Sequence, residues 1–388
     1  MNYIEIIFWL LIFLIFYSYI GYPVLLFVIT KIKSKHKNNS TGNYHPTVTL
    51  FVTAFNEEDY VDIKVENSFN IEYPKDKLQF VWVTDGSTDN TNTLLKKYEN
   101  IKVYYSPERN GKINAMNRGM QFVDTDIVIF SDANTLLSKE TAIEMVKLFE
   151  DEKTGCIAGE KRIELSDKDT AAAAGEGFYW KYESWIKQMD AQAGSSVGAA
   201  GELFAIRKNL FFNVPDDTIL DDFIISLTIA MQGYKIDYTP KAYAVEKASA
   251  NIAEEMKRKI RIAAGSIQAT VRLKPLLNIF KFKFLSFQYI SHKIMRWIVT
   301  PVILLLIIPL NIYLAFFNVF YLYILIAQAL FYLLVIVGWL LKDKQIKPGI
   351  IFVPYYFFLA NLAMWLGFFR YVKGTQSVKW ERAKRQKI

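Results

Sequence analysis

Apolar residues are concentrated in three runs of the chain, one near its start and two near its end. Residues 6–30, 297–341 and 348–369 contain no charged side chain, and a helix that crosses a bilayer needs about 20 such residues. Basic residues follow the first run, which lacks the basic start and small-residue cleavage site of a signal peptide. The pattern therefore predicts a membrane anchor over residues 1–30, with its C-terminal side in the cytoplasm.

The second run is long enough for two spans. Asn311 and Asn318 bracket a plausible turn, and Trp297 and Trp339 stand where interfacial aromatic residues prefer to lie. Residues 273–293, just before it, interleave lysines with phenylalanines and are predicted to lie on the membrane surface. The same pattern also fits a domain edge that packs on the spans.

The third run is rich in aromatic residues and contains Pro354 and Asn361. If it crossed the membrane, the basic tail over residues 373–388 would lie on the opposite side from the central domain, against the positive-inside rule. Either the run is re-entrant or interfacial, or the tail breaks the rule. The membrane region is therefore predicted over residues 294–372 with two to three spans.

Residues 45–272 have the pattern of a soluble domain. Short apolar, β-branched segments predict buried strands, which fall at residues 47–53, 78–83, 102–105 and 126–130. Cap-competent and acidic residues predict the starts of helices between them, at Asn56, at Ser87, and over residues 113–123 and 139–149. This alternation is typical of an α/β fold with a mainly parallel sheet covered by helices on both faces.

Polar residues collect where three of the predicted strands end, at residues 53–57, 84–89 and 131–135. In parallel α/β sheets, ligands bind outside the carboxyl ends of the strands. The sequence therefore predicts a binding site at this edge of the sheet.

Charge and cysteine content narrow the class of protein. The net charge of +8 over 388 residues comes largely from lysines and arginines that flank the apolar runs, where anionic lipid headgroups select them, so nucleic acid is not an expected partner. Lys31, Lys33, Lys35 and Lys37 follow the first run. A single cysteine, Cys156, excludes an intrachain disulfide framework and a multi-cysteine metal site.

Asp132 and Asn134 follow the strand at residues 126–130. Side chains at i and i+2 of an extended backbone point the same way, so their oxygens could share a hard cation such as Mg²⁺ or Mn²⁺. Such a cation would neutralise a diphosphate leaving group.

Four ordered segments carry a family resemblance: TAFNEE at residues 53–58, DGSTD at 85–89, GKINAMN at 111–117 and SDANT at 131–135. In order and spacing, and with flanking apolar runs, they resemble the membrane-embedded GT-A-fold family 2 glycosyltransferases, which include poly-N-acetylglucosamine, hyaluronan and cellulose synthases. The resemblance implies a GT-A transferase domain, a UDP-sugar donor and a divalent metal cofactor.

The resemblance also implies roles for individual residues. Ala54 and Glu57 would line the nucleotide base pocket, Asp85 would hydrogen-bond the uracil ring, and Lys112 would lie near the diphosphate. Asp132 and Asn134 would occupy the metal motif, where the neutral Asn134 should bind a hard cation more weakly than an aspartate does.

The same family places its general base in an acidic pair at the start of a helix. Asp221 and Asp222 match this pair, and Asp222 would be the base; a helix cap with a favourable dipole is the alternative for such a pair. Gly201 and Glu202 resemble the segment that approaches the acceptor.

A family motif of the form Gln-x-x-Arg-Trp has a partial counterpart here. Arg261 is retained, while Arg258 replaces the glutamine and Ile262 replaces the tryptophan. Both arginines would share one helix face and reach a diphosphate; binding of lipid headgroups is the alternative. The missing tryptophan weakens the expectation of long-chain polymerisation.

Together these features predict an inverting, metal-dependent glycosyltransferase of a bacterial inner (plasma) membrane, acting on its cytoplasmic face. The acceptor would be a growing glycan or a lipid-linked one, in cell-surface or extracellular polysaccharide synthesis. A single-addition enzyme for a lipid carrier or membrane lipid, and a catalytically weak scaffold subunit of an export complex, are the alternatives. With few membrane helices, a channel would need a homo-oligomer or export-complex subunits.

Overall fold

The computed structural model describes residues 3–33, 44–164, 171–249, 251–342 and 352–379. The predicted basic residues at 35 and 37 and the part of the basic tail from 380 onward lie outside the described residues, as does the start of the third apolar run.

One eight-stranded sheet forms the centre of the described domain. Its strands are β1 (Val48–Ala54), β2 (Leu78–Asp85), β3 (Ile101–Ser106), β4 (Ile127–Asp132), β5 (Leu136–Leu137), β6 (Thr154–Glu164), β7 (Leu203–Arg207) and β8 (Lys235–Lys247). Their order across the sheet is β3-β2-β1-β4-β7-β6-β8-β5.

The first four strands are parallel, as predicted, and their register brings the polar strand ends together. Ala54 pairs with Thr84 on one side of β1, and Thr53 pairs with Asp132 on the other. Beyond β4 the sheet is mixed rather than mainly parallel, because β7 lies between β4 and β6 and runs antiparallel to both.

The described helices are α1 (Tyr3–Phe16), α2 (Tyr22–Ile32), α3 (Val61–Phe69), α4 (Thr91–Leu95), α5 (Lys112–Gly119), α6 (Thr141–Val146), α7 (Ala171–Ala193), α8 (Asp221–Met231), α9 (Ile252–Arg272), α10 (Ile279–Phe282), α11 (Phe284–Tyr289), α12 (Thr300–Ala315), α13 (Val319–Leu341) and α14 (Phe352–Val372). Turns of π-helix at Tyr17–Gly21 and Ile290–Val299 join α1 to α2 and α11 to α12.

Two helices begin later than the sequence predicts. Asn56 does not open a helix: it has a φ of 52°, a conformation that asparagine tolerates, and α3 begins at Val61. Its side chain accepts the backbone N–H of Thr88 at 2.8 Å, and its own N–H donates to Ser87 at 3.1 Å. Because residues 87–89 bond to this loop, α4 begins only at Thr91.

Strands β1 and β4 and the second half of β2 are buried on both faces, which explains their continuous apolar segments, whereas β3 at the edge of the sheet is only partly buried. On one face Phe51, Val83 and Phe130 belong to a core cluster that includes residues of α5 and α8. On the other, Leu50 and Trp82 belong to a cluster that includes residues of α3 and α6.

Within the described residues, four helical segments are long and apolar enough to cross a membrane: Tyr3–Ile32, Phe284–Ala315, Val319–Leu341 and Phe352–Val372. The segment predicted to be interfacial, 273–293, thus ends inside a helix that continues to Ala315. The turn between α12 and α13 lies between Asn311 and Asn318, as predicted, although Asn311 itself is buried within α12. Asn318 marks the end of this turn, since its side chain caps α13 by accepting the Phe320 N–H at 2.9 Å.

The last helix packs lengthwise against α9. Phe352 and Tyr355 cluster with Ile252 at the start of both helices. Further along, a Cβ on Gly367 would lie 2.5 Å from the Cβ of Ala263. Both ends of α14 therefore lie beside α9, the helix that borders the site described below.

Candidate active site

A cavity of about 1240 Å³ lies at the carboxyl ends of β1 and β4. Its wall contains most of the residues predicted from the sequence: Glu57, Lys112, Asp132, Asn134, Gly201, Glu202, Asp221, Asp222, Arg258 and Arg261. Residues far apart along the chain thus meet around one space.

Ala54 and Asp85 are not part of the cavity wall. Both are buried, and the Asp85 carboxylate accepts the backbone N–H groups of Asn110 at 3.0 Å and Gly111 at 2.7 Å. Asp85 therefore fixes the loop that leads into α5, and its contact with a uracil ring stays a prediction.

The loops after β1 and β2 and the loop before α5 form one interlocked unit. Gly86 has a φ of 67°, and a Cβ there would lie 2.8 Å from the backbone N of Arg109, so only glycine fits. The Arg109 guanidinium in turn lies 3.8 Å from the centre of the Phe55 ring. The glycine of the DGSTD motif is thus explained by close backbone approach.

Lys112 provides a fixed positive charge at the centre of the site. It is the first residue of α5, and its Nζ lies 2.7 Å from Asp132 Oδ1 and 3.6 Å from Asp221 Oδ2. Burial opposes its charge, but these carboxylates outweigh burial and raise the pKa of Lys112. A Cβ on Gly201 would approach its Nζ to 3.2 Å, so a side chain there would press on Lys112.

The acidic pair stands in the first turn of α8. The capping position belongs to Leu220, so neither acid is a helix cap. Asp221 Oδ2 is buried without a hydrogen-bond partner among the described residues. Burial, reinforced by the charge of Asp221, raises the pKa of Asp222 to about 7. A carboxylate with that pKa can accept a proton near neutral pH.

Lys161, which the sequence reasoning missed, holds two acids beside Asn134. Its ammonium forms ion pairs with Glu202 and, at 2.6 Å, with Glu246. Burial alone would raise the pKa of Glu202, but Lys161 dominates and lowers it. Glu202 is therefore a charged, anchored group, and its contact with an acceptor stays a prediction. The only available signal was weak, because Lys161 stands between Glu160 and Arg162 in the charged second half of β6.

The residues predicted to bind a metal supply only part of a coordination shell. The described residues contain no group of three or more His, Cys, Asp or Glu side chains that could hold a metal ion. Asp132 gives one oxygen to Lys112, and the amide N of Asn134 lies 3.5 Å from Glu246. The remaining oxygens of Asp132 and Asn134 fit a hard cation if a bound diphosphate completes its shell.

The arginines of α9 form another basic part of the wall. Arg261 Nη2 donates to the carbonyl oxygen of Ile219 at 3.5 Å, while its Nε is buried without a hydrogen-bond partner among the described residues. Burial lowers the pKa of Arg261. A buried guanidinium with free hydrogen-bonding capacity facing a cavity suits an anionic ligand.

The segment after α14 also borders the cavity, which no sequence signal indicated. Thr375, Gln376, Ser377 and Lys379 contribute to its wall, and Val378 lies 3.6 Å from where a Cβ on Gly111 would be. The described part of the tail, up to Lys379, lies over the site because α14 ends beside α9. Binding of the tail to lipid headgroups stays a prediction.

A second missed residue, Lys64, lies beneath the Asp132–Asn134 loop. It is fully buried on α3, and its Nζ donates to Ser131 Oγ at 2.7 Å and to the carbonyl oxygen of Thr135 at 2.8 Å. Burial lowers the pKa of Lys64 to about 7. Its polar position on the inner side of a helix was the only signal available.

Comparison with known proteins agrees with this geometry. Residues 49–212 match the family model described as Glycosyl transferase family 2. The chain is 26% identical over 235 residues to a poly-beta-1,6-N-acetyl-D-glucosamine synthase of Staphylococcus aureus (strain MSSA476), covering 58% of this chain and 56% of that protein. It is 27% identical over 254 residues to the probable glycosyltransferase YdaM of Bacillus subtilis (strain 168), covering 61% and 59%.

The matched region therefore spans less than two thirds of these relatives. Among solved structures, the mannosyltransferase PcManGT from Pyrobaculum calidifontis, determined in complex with GDP-Man and Mn²⁺, superposes with a TM-score of 0.71 at 20% identity. That match covers 94% of this chain and 98% of the other, so the two proteins share a fold over nearly their whole length.

Proposed function

We propose, on the premise that residues 49–212 form a glycosyltransferase family 2 domain, that this chain transfers a sugar from a nucleotide-diphosphate donor to an acceptor at the membrane. The observation that carries the proposal is the pairing, in one cavity, of Asp222, whose pKa is about 7, with the Lys112–Asp132 ion pair.

The donor diphosphate would bind at the basic part of the wall. Lys112 and the N-terminus of α5 offer positive potential from one side, and Arg258 and Arg261 offer guanidinium groups from another. Negative charge accumulates on the diphosphate as it leaves, so fixed cations here stabilise the transition state more than the ground state.

Asp132 and Asn134 would hold a divalent cation together with the donor phosphates. When bound, Mg²⁺ or Mn²⁺ would supply further neutralisation of the leaving diphosphate. The complex of PcManGT with Mn²⁺ supports this assignment for the shared fold, and the incomplete set of protein ligands agrees with a cation that binds only with the donor.

Asp222 would act as the general base. Its carboxylate takes the proton of an acceptor hydroxyl while the hydroxyl oxygen forms a bond to the anomeric carbon, and the bond from that carbon to the diphosphate breaks. The nucleoside diphosphate leaves with the bonding electron pair, and the anomeric configuration inverts. Asp221 keeps Lys112 in place, 3.6 Å away.

The acceptor would be membrane-associated, because membrane-region residues such as Trp297 and Arg370 share the cavity wall with Asp222. The S. aureus relatives favour a glycan acceptor in cell-surface polysaccharide synthesis. Single addition to a lipid is the second candidate, favoured by Ile262 in the wall where a polymerising relative would carry a tryptophan.

The test is nucleoside-diphosphate release by the purified full chain in detergent with membrane lipid extract. A panel of UDP- and GDP-sugars would be run with Mg²⁺, with Mn²⁺ and with a chelator. We expect metal-dependent release from one donor, loss of release in Asp222→Asn, and unchanged release in Asp76→Asn, which alters an exposed acid. If no donor gave release, the chain would more readily be a catalytically weak scaffold subunit. If Asp222→Asn released as much nucleoside diphosphate as the unmodified chain, Asp222 would not be the general base.

A further inference from the structure

One part of the cavity wall takes no part in the reaction above. It is formed by α7, which contributes Glu183 and Lys187, and by the helical segment Phe284–Ala315, which contributes Lys293 and Trp297. This wall therefore connects the site to a candidate membrane span.

Lys187 is a buried cation without an anionic partner in this wall. Its side chain is only 6% exposed, and it makes no hydrogen bond or ion pair with any residue of the described chain. An ammonium group held away from bulk water is stabilised by an anionic partner. Lys187 lines the cavity, so its ammonium is available to an anion that enters from outside the protein.

The neighbouring carboxylate cannot serve Lys187, because other cations already hold it. Glu183 forms ion pairs with Lys293, with His292 at 3.1 Å and with Arg296 at 3.3 Å. These partners lie on the helical segment Phe284–Ala315, so they tie α7 to that segment and leave Lys187 outside this group of ion pairs.

The cavity around Lys187 contains the proposed general base and a pair of aromatic rings. Its charge acts on Asp222, which places it near the proposed base. Trp297 packs its ring 5.0 Å from that of Phe223, the residue after Asp222. A ligand that bridges these groups must combine an anionic group with an apolar body.

We propose that Lys187 forms an anion subsite for the acceptor, which is a lipid that carries a phosphate group close to the accepting hydroxyl. This inference rests on the proposed function for the reaction but concerns a different part of the cavity. The phosphate would bind Lys187 through a charge-assisted hydrogen bond, and the lipid chain would follow Trp297 toward the membrane.

The experiment measures binding to the purified full chain in detergent by calorimetry, without any donor sugar. The probes are farnesyl phosphate, farnesol and inorganic phosphate. We expect farnesyl phosphate to bind at least about tenfold more tightly than either other probe, since a hydrogen bond between charged groups discriminates by about this factor or more. Lys187→Met should lower that affinity about tenfold or more, and Lys187→Arg should largely retain it.

Controls separate this proposal from the proposed function. Lys181→Met removes an exposed lysine from the same helix and should change nothing, and nucleoside-diphosphate binding should be the same in all variants. Equal binding of farnesol and farnesyl phosphate by the unmodified chain would overturn the subsite without any mutation. Inorganic phosphate that binds as tightly as farnesyl phosphate would overturn the lipid assignment. If the chain transferred no sugar but still bound the three probes with the expected affinities, only the proposed function would be overturned.

Discussion

At the scale of single residues, the site depends on charges that burial and close neighbours control. Lys112 keeps its charge because Asp132 and Asp221 outweigh its burial. Asp222 loses acidity because its burial is reinforced by Asp221. Both pKa values are raised: this keeps Lys112 charged and brings Asp222 to proton exchange near neutral pH.

The pH dependence of the reaction should follow Asp222. Only the ionised carboxylate accepts a proton, so the rate should rise with pH through about 7. Asp222→Asn should lower the rate by about 10²- to 10⁴-fold. A pH–rate profile with saturating donor measures both, and a profile that is flat between pH 5.5 and pH 8.5 would contradict the assignment.

Asp222→Asn should not destabilise the protein at pH 8. The folded pKa of Asp222 lies above its ordinary value, so ionisation in the folded state costs free energy, and stability falls as pH rises from about 4 through about 7. The amide removes this cost above pH 7. A thermal unfolding temperature clearly lower than that of the unmodified chain at pH 8 would point to a structural role for Asp222 instead.

Lys64 should affect metal binding, because it supports the loop that contains Asp132 and Asn134. Lys64→Met removes the bonds to Ser131 and Thr135 that flank Asp132 and Asn134, and loss of such supporting groups typically weakens a metal site by about 10- to 100-fold. We expect the Mn²⁺ concentration for half-maximal release to rise about tenfold or more. Lys97→Met, at an exposed position, is the control. If Lys64→Met lowered thermal stability but left the Mn²⁺ titration unchanged, Lys64 would contribute only to the stability of the core.

At the scale of elements, α9 and α14 act as a pair. Gly367 allows the closest approach, because even a methyl group there would meet Ala263 at 2.5 Å and the backbone N of Ala264 at 2.6 Å. The other side of α9 presents Arg258 and Arg261 to the cavity. The spacing of the two helices therefore fixes where the guanidinium groups stand.

Gly367→Val should push α9 and α14 apart and displace these arginines. We expect donor affinity to fall by about tenfold or more, because charge-assisted hydrogen bonds to the diphosphate would be lost, together with a lower unfolding temperature. Leu366→Val, at an exposed position of the same helix, serves as the matched control. Donor titrations of both variants measure the effect, and equal affinities would show that α14 does not position the basic wall.

The strands and loops around the site show how much of the fold could be predicted from the sequence. Strands β1, β2 and β4 were predictable because most of their residues are buried on both faces, which leaves a nearly unbroken apolar signal. Asn56 misled the prediction, since a residue suited to cap a helix here binds the loop after β2 instead. Lys64, Lys161 and the segment after α14 could not be placed, because their partners are distant in the chain and leave no local pattern.

At the scale of the whole molecule, the packing of α14 bears on orientation in the membrane. Both of its ends lie beside α9, which borders the cavity of the soluble domain. If α14 lies along the membrane surface, three spans remain, and the described start of the basic tail falls on the same side as the domain. This arrangement satisfies the positive-inside rule, which four spans would break.

Cysteine labelling would test this orientation. Cys156 is buried and should stay silent, whereas Phe317 and Val372 are 73% and 63% exposed. We expect a membrane-impermeant maleimide to label Phe317→Cys in intact cells and Val372→Cys only after permeabilisation. Labelling of both in intact cells would instead support a fourth span.

The cavity wall extends from Thr53, near the end of β1, to Lys379, beyond the last described helix. A ribosome delivers these segments in order, so the basic and acidic groups of the domain are made well before α14 and the segment that follows it. The complete site can form only after the late helices have entered the membrane and docked on α9. If the chain is a transferase as proposed, its activity would begin only when synthesis of these late segments is complete.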